Sequence, residues 1–498
     1  MEFGKRITDR KWYLVALAAF WLLAALLRRG LFDTAAAGIL TAAVAVCSFA
    51  AVLFIRGMTE KDFLLIACLL GVFFVVIAPF ACIIDEKYHF ARAFGLSNGD
   101  FFHVAENGKL GFRVPAGYAE FTRPGVWNLS NIGELKDIWF SSSRNLEFVS
   151  HTRSASYLPL DYLFSAAGMF LARLFDLPLL FVVVFGRLFN YASYVAISYL
   201  AIRRAKYYKS LFFLVAVLPS CLYAGAVISI DACLIACCLL YVSIALNCCL
   251  DREMESVSVQ DTVLLCAAAA FILSTKYFGY FLILPLILFA AKRHLKNYGR
   301  LLILLGVVTA GIGIWQVAMI FACPGSIDRN AAFDGVSFSG QIKWILENPG
   351  TFLRQLGHQM ILEAPQQLYA YSYSEEPLFS ALSLPLRFVP FFAAAWAEDK
   401  CDLTLKQSRG LSLYWVLSSA GMMALCYIAL YLAWTPVGAA EVEGMQFRYA
   451  TPYLIFILLT FSTMRTENTF KDGKRLAAFL MILQLVNMLT GTVLHWIP

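Results

Sequence analysis

The sequence predicts an all-α polytopic membrane protein with about 13 transmembrane helices and further helices in extracytoplasmic loops. Three observations predict it. Hydrophobic residues fill 60% of 498 positions and charged residues only 15%, with a mean hydropathy of +0.70, a balance outside the range of soluble domains. Apolar runs recur at roughly the 17–25 residues that cross a hydrocarbon layer. Basic clusters fall between alternate runs, the asymmetry that orients membrane helices.

Lys5, Arg6, Arg10 and Lys11 precede the first run, and no small-residue cleavage site stands out. The first helix is therefore read as retained. Runs at 12–27 and 36–55 make 1–62 a two-helix N-terminal extension. A core follows over 63–322, with spans at 63–84, 178–202, 211–230, 232–249, 261–275, 277–291 and 300–321. Residues 323–377 form a second outer loop, and 378–498 carry spans at 378–397, 411–434, 446–463 and 476–494.

Placing the N-terminus inside puts most basic loops inside, among them Arg203, Arg204, Lys206 and Lys209, and Lys292, Arg293, Lys296 and Arg300. Arg28 and Arg29 are the exception. The C-terminus and Asp85 then lie outside.

Two outer segments are long enough to be functional. In the first, 85–178, the spacing of Leu135, Ile138, Trp139, Leu146 and Val149 predicts an interfacial helix. Tyr157 to Phe175 is interrupted by Pro159 and Asp161 and reads as a helix dipping in from outside. In the second, Ile342, Ile345, Leu346, Phe352, Leu353, Leu356, Met360 and Ile361 form a surface stripe broken near Pro349.

The third run ends in Asp85-Glu86, with His89 and Arg92 following at helical spacing from Asp85. Ionisable residues at the ends of apolar runs are costly and mark functional positions. Asp231, Lys276 with Tyr277, Arg187 with Asn190, and Arg448 with Tyr449 also fall at outer ends. Two carboxylates offer a general base. Lysine and arginine offer a phosphate clamp. This set fits transfer of a group from a lipid phosphate to an acceptor hydroxyl.

Other chemistries are poorly served. The 13 cysteines include no CxxC pair and lie mostly in apolar runs, which argues against zinc or disulfide frameworks. His103, His151 and His358 lack metal-ligand spacing. GxxxxGK[ST] and HExxH are absent. Basic residues do not cluster with aromatics as in a nucleic-acid binder. Asn128-Leu129-Ser130 matches a glycosylation acceptor, a pattern common by chance.

The motifs carry a family resemblance. Asp85-Glu86 with His89 and Arg92 resembles the opening "PDE-x-x-H-x-x-R-A" of the bacterial DUF2142 membrane proteins. Tyr157 to Tyr162 is similar to their "Y-x-P-x-x-Y", Arg187 and Asn190 to "R-x-x-N", Ser229-Ile230-Asp231 to "S-x-D", and Lys276-Tyr277 to "K-Y". Trp434 to Gly438 and Gly444 to Tyr449 resemble "W-T-x-V-G" and "G-V-Q-G-R-Y". Pro79 stands six residues before the acid pair rather than beside it, and Phe447 replaces a glycine.

The resemblance implies a GT-C type glycosyltransferase in the bacterial cytoplasmic membrane. Its donor would be a polyprenyl-phosphate sugar and its acceptor a cell-surface glycan or lipid-linked glycan, joined with inversion. Asp85 would be the catalytic base, and Glu86 would contact sugar or acceptor, or bind a divalent metal (Mg or Mn). Lys276, Tyr277 and Arg448 would hold the donor phosphate. His89, Arg92, Tyr157, Arg187, Asn190, Asp231 and Gln446 would bind substrate or shape its site. The alternatives are a flippase of lipid-linked glycans and a polysaccharide polymerase or ligase.

Overall fold

The computed structural model describes residues 2–81, 85–123, 133, 135–150, 154, 157–275, 279–322, 335–363, 377–396, 405–463 and 472–496. Among these, seven helices are long and apolar enough to cross a membrane: Arg6–Leu27, Ala35–Phe54, Leu179–Arg204, Asp231–Leu250, Tyr298–Ala322, Arg409–Ala433 and Gly473–His495. The chain is an all-α, multi-pass membrane protein. The other predicted spans are shorter or broken.

Helices α1 (Glu2–Leu27) and α2 (Ala35–Phe54) are the N-terminal pair. The predicted span 63–84 begins as α3 (Glu60–Ile66), opened by a Thr59–Asp62 capping box. It widens into a π turn at Ala67–Gly71 and resumes as α4 (Phe73–Ile77). The Tyr191 hydroxyl donates to the Ala67 carbonyl at 2.8 Å. A Cβ at Gly71 would lie 2.2 Å from that hydroxyl, so the turn requires glycine. The helix stops well before Ile84. Ala78 is extended (ψ 128°) because it precedes Pro79, which disfavours helical backbone at the preceding residue.

Asp85 then caps α5 (Glu86–Ser97) in a left-handed conformation, φ 57°. A three-stranded antiparallel sheet follows: β1 (Val104–Glu106), β2 (Lys109–Pro115) and β3 (Leu146–Ser150). The β1–β2 turn is Asn107-Gly108, both at positive φ, a strong hairpin signal. A short helix α6 (Tyr118–Phe121) follows β2, and the helix expected across 134–149 is reduced to α7 (Lys136–Trp139). Pairing of Leu146 with Pro115 and Val149 with Phe112 outweighs the weak helical stripe. Phe80, Phe90, Phe112, Tyr118, Phe121 and Trp139 form a second core beneath these elements.

Helix α8 (Leu163–Leu174), after a 3-10 turn at Pro159–Tyr162, has 12 residues, too few to cross. It returns along α9 (Leu179–Arg204), close enough that a Cβ at Gly168 would meet the Phe185 carbonyl oxygen at 2.3 Å. The predicted 211–230 span is α10 (Lys209–Ala216) and α11 (Pro219–Ala226), bent by 58° at Pro219. Next come α12 (Asp231–Leu250) and α13 (Val259–Ser274). The 277–291 span is a 3-10 helix, Tyr280–Arg293, containing Pro285, and α14 is Tyr298–Ala322.

The surface stripe forms α15 (Phe338–Glu347) and α16 (Pro349–His358), broken at Pro349 as expected. The 378–397 run splits into α17 (Ser380–Arg387) and α18 (Val389–Trp396). Helices α19 (Leu405–Ala433), α20 (Leu454–Thr463) and α21 (Gly473–Trp496) complete the bundle. Two 3-10 turns at Phe447–Tyr449 and Thr451–Tyr453 shorten the predicted 446–463 span.

Candidate functional site

Five chain segments converge at one end of the bundle. They are the cap of α5, the third turn of α9, the start of α12, the end of α13 and the Phe447–Tyr449 turn. The opposite end carries Arg204–Asp261 (2.8 Å), Lys209–Glu60 (3.2 Å) and Lys206–Asp251 ion pairs.

Asp85 and Glu86, adjacent in sequence, point to different partners. The left-handed cap turns the Asp85 side chain away from that of Glu86. Glu86 is fully buried. Its Oε1 accepts from Arg187 Nε (2.8 Å) and the Ile228 amide (2.9 Å). Its Oε2 accepts from Arg187 Nη2 (2.6 Å) and the Ala81 amide (3.1 Å). Four donors fill both oxygens. Arg187, also fully buried, spends Nη1 on the carbonyls of Val75 (3.2 Å) and Ala78 (2.8 Å) and lies 5.4 Å above the Phe80 ring. Those carbonyls are the ones freed where α4 ends. The pair is thus a dry lock that fixes the broken span against α9 and the chain before α12.

Both Glu86 oxygens are filled and Arg187 commits four of its five N–H groups to this lock, so the pair holds the chain around the site. A divalent ion fits the remaining acid poorly too, since the Arg448 guanidinium already stands against Asp85. Among the described residues no group of three or more His, Cys, Asp or Glu side chains is arranged to hold a metal ion.

Asp85 is the accessible acid, with 49% of its side chain exposed. Arg448 Nη2 donates to its Oδ2 at 2.9 Å across 363 residues of sequence. Arg448 is itself buried, and its Nη1 lies 3.5 Å from Asp231 Oδ2. Asp231 opens α12, where the helix dipole favours a carboxylate. The Tyr449 hydroxyl lies 3.4 Å from Arg448 Nη2. A buried cation is therefore held between one buried and one half-exposed carboxylate.

The remaining predicted residues divide. His89 Nδ1 hydrogen-bonds the Tyr162 hydroxyl at 2.7 Å, and its ring stacks obliquely beside Tyr157. Arg92 is spent on the main-chain carbonyls of Asp100 (3.2 Å), Phe101 (2.8 Å) and Tyr157 (3.4 Å) and lies over the Phe112 ring. Asn190 Nδ2 donates to the carbonyls of Val227 (2.7 Å), Gly225 (3.3 Å) and Ser229 (3.4 Å), which the end of α11 leaves free. Arg92 and Asn190 thus hold loops that frame the site. Gln446 is exposed at the rim. Lys276 and Tyr277 lie outside the described residues.

Asp161 was legible as an interruption of an apolar run but not as a member of the site. It is buried and accepts from the Ser274 hydroxyl at 2.6 Å, tying the turn before α8 to the end of α13. A carboxylate inside an otherwise apolar stretch was the available signal. Burial and the nearby Arg92 charge lower the pKa of His103.

No curated protein and no solved structure matches the chain. Residues 68–457 match the family model described as "Predicted membrane protein (DUF2142)", a stretch that starts in the π turn of the third span and runs through every element of the site. The chain belongs to the DUF2142 family of membrane proteins.

Proposed function

We propose that the protein is a GT-C type glycosyltransferase of the bacterial cytoplasmic membrane. It moves a sugar from a polyprenyl-phosphate donor to a glycan or lipid-linked acceptor on the extracytoplasmic side, with inversion. One observation carries this reading: Asp85 and Arg448, at opposite ends of the family match, meet at 2.9 Å with the carboxylate half-exposed and the guanidinium buried.

In this reading the acceptor oxygen bonds to the anomeric carbon as the carbon–oxygen bond to phosphate breaks. The electron pair leaves on the phosphate, and the hydroxyl proton passes to Asp85. Arg448 turns part of its donor set from the carboxylates to the phosphate, whose charge grows as the bond breaks, so the contact favours the transition state. Asp231 holds the guanidinium in place. The family resemblance assigns Lys276 and Tyr277 to the same phosphate. The orientation follows from the lysines and arginines of the opposite end.

A flippase of lipid-linked glycans is the second reading. The bent α10–α11 pair favours it, because discontinuous helices beside buried charges are common in transporters. Purified protein in lipid nanodiscs, given radiolabelled polyprenyl-phosphate sugars and a glycan acceptor, tests the transferase. Label moving into glycan supports it. Label crossing liposome membranes with the sugar–phosphate bond intact contradicts it in favour of the flippase.

A further inference from the structure

A cavity of about 530 Å³ lies between the 3-10 helix Tyr280–Arg293, α13 and α14. Its wall is mostly apolar, with Ile272, Leu284, Leu302 and Leu305 among the lining residues. The polar groups in the wall are already used. Tyr241 donates to the Leu284 carbonyl (2.8 Å), Thr309 to Leu305 (2.8 Å), and the Gln316 amide to Leu273. A cavity with satisfied polar groups and apolar walls does not hold water well. Ile303, Val307 and Ile314 of α14 are exposed, so this side of the bundle faces hydrocarbon.

The shape points to one chain. From Gln316 to Leu302 the wall runs 14 residues of helix, about 21 Å at 1.5 Å per residue. At about 30 Å³ per water-sized body, the volume takes on the order of 15–20 methylene-sized groups. One end meets the site. Tyr280 lines the cavity, and its hydroxyl donates to the Tyr449 carbonyl (3.0 Å), next to Arg448. A two-tailed phospholipid would leave one tail outside such a groove, whereas a single-chain phosphate fills it with its head at Arg448.

We infer that this groove holds the first part of the isoprenoid tail of the lipid-phosphate donor. The inference rests on the transferase reading and names where that substrate's chain lies. Gly306 lines the groove, and a Cβ there would meet nothing within 4 Å. Gly306→Trp should therefore fill the space without backbone clash. Gly311, on the same helix but outside the lining, is equally open and serves as control.

The probe is a polyprenyl phosphate without sugar, carrying a diazirine on its second isoprene unit, photolysed with protein in nanodiscs. Label should map to 280–288 and 302–309. Gly306→Trp should cut labelling at least about tenfold, with Gly306→Leu intermediate, and Gly311→Trp should match the wild type. Excess phosphatidylethanolamine should not compete. Unchanged labelling in Gly306→Trp, or equal competition by phosphatidylethanolamine, overturns the groove assignment. Groove labelling in a protein that transfers no sugar leaves the groove standing and sinks the transferase. Transfer from a long-chain donor that is indifferent to Gly306→Trp does the reverse.

Discussion

Replacing Glu86 with glutamine keeps the side chain's shape and removes its charge. The wild-type carboxylate accepts four hydrogen bonds, two from Arg187 and two from the Ala81 and Ile228 amides. Glutamine has one oxygen, so it keeps at most half of these, and its NH2 group faces donors. Arg187 is left charged in a fully buried position. Breaking a buried pair in this way costs about 3–5 kcal/mol, and each orphaned amide adds about 1–3 kcal/mol. That is comparable to the whole stability of a typical domain, about 5–15 kcal/mol. The contrast is Asp85→Asn. Its side chain is 49% exposed, asparagine keeps an oxygen for Arg448, and the guanidinium stays 3.5 Å from Asp231, so no buried charge is orphaned. Thermal unfolding in detergent, followed by size-exclusion chromatography, should show Glu86→Gln unfolding far below wild type and Asp85→Asn close to it. A Glu86→Gln protein as stable as wild type would refute the lock.

Two further predictions concern other contacts. Arg448→Ala should raise the donor concentration at half-saturation far more than that of the acceptor, measured by initial-rate transfer; an unchanged donor dependence would remove Arg448 from the phosphate site. Gly71→Ala should destabilise the fold, because its Cβ would sit 2.2 Å from the Tyr191 hydroxyl, and Tyr191→Phe in the same chain should recover part of the loss in the unfolding assay.

The parts of the fold legible in the sequence were those written in long, even apolar runs. Asp231–Leu250 and Gly473–Trp496 fall within a few residues of the expected limits. Breaks inside runs were harder to read because hydropathy does not register backbone geometry. Pro79, Pro219 and Pro285 were visible marks of three of them; the π turn at Ala67–Gly71 left no comparable mark. The sheet was signalled by Asn107-Gly108, whose weight the surrounding loop composition obscured.

At the site, residue types at span ends were the legible signal, and Asp85, Asp231 and Arg448 meet there at 2.9 and 3.5 Å. Division of labour was not legible. Asp85 and Glu86 look equivalent as neighbours, and only the left-handed cap separates the exposed acid from the buried one. Likewise Arg92 and Asn190 look like ligand contacts until the free carbonyls of broken helices are located beside them.

The most direct test is sugar transfer by Asp85→Asn, using purified protein, saturating polyprenyl-phosphate sugar and acceptor, with donor binding measured alongside. Loss of a positioned base typically lowers rate by about 10²–10⁴. The account predicts a loss of that size with the protein folded and donor binding retained. Transfer at the wild-type rate would contradict it.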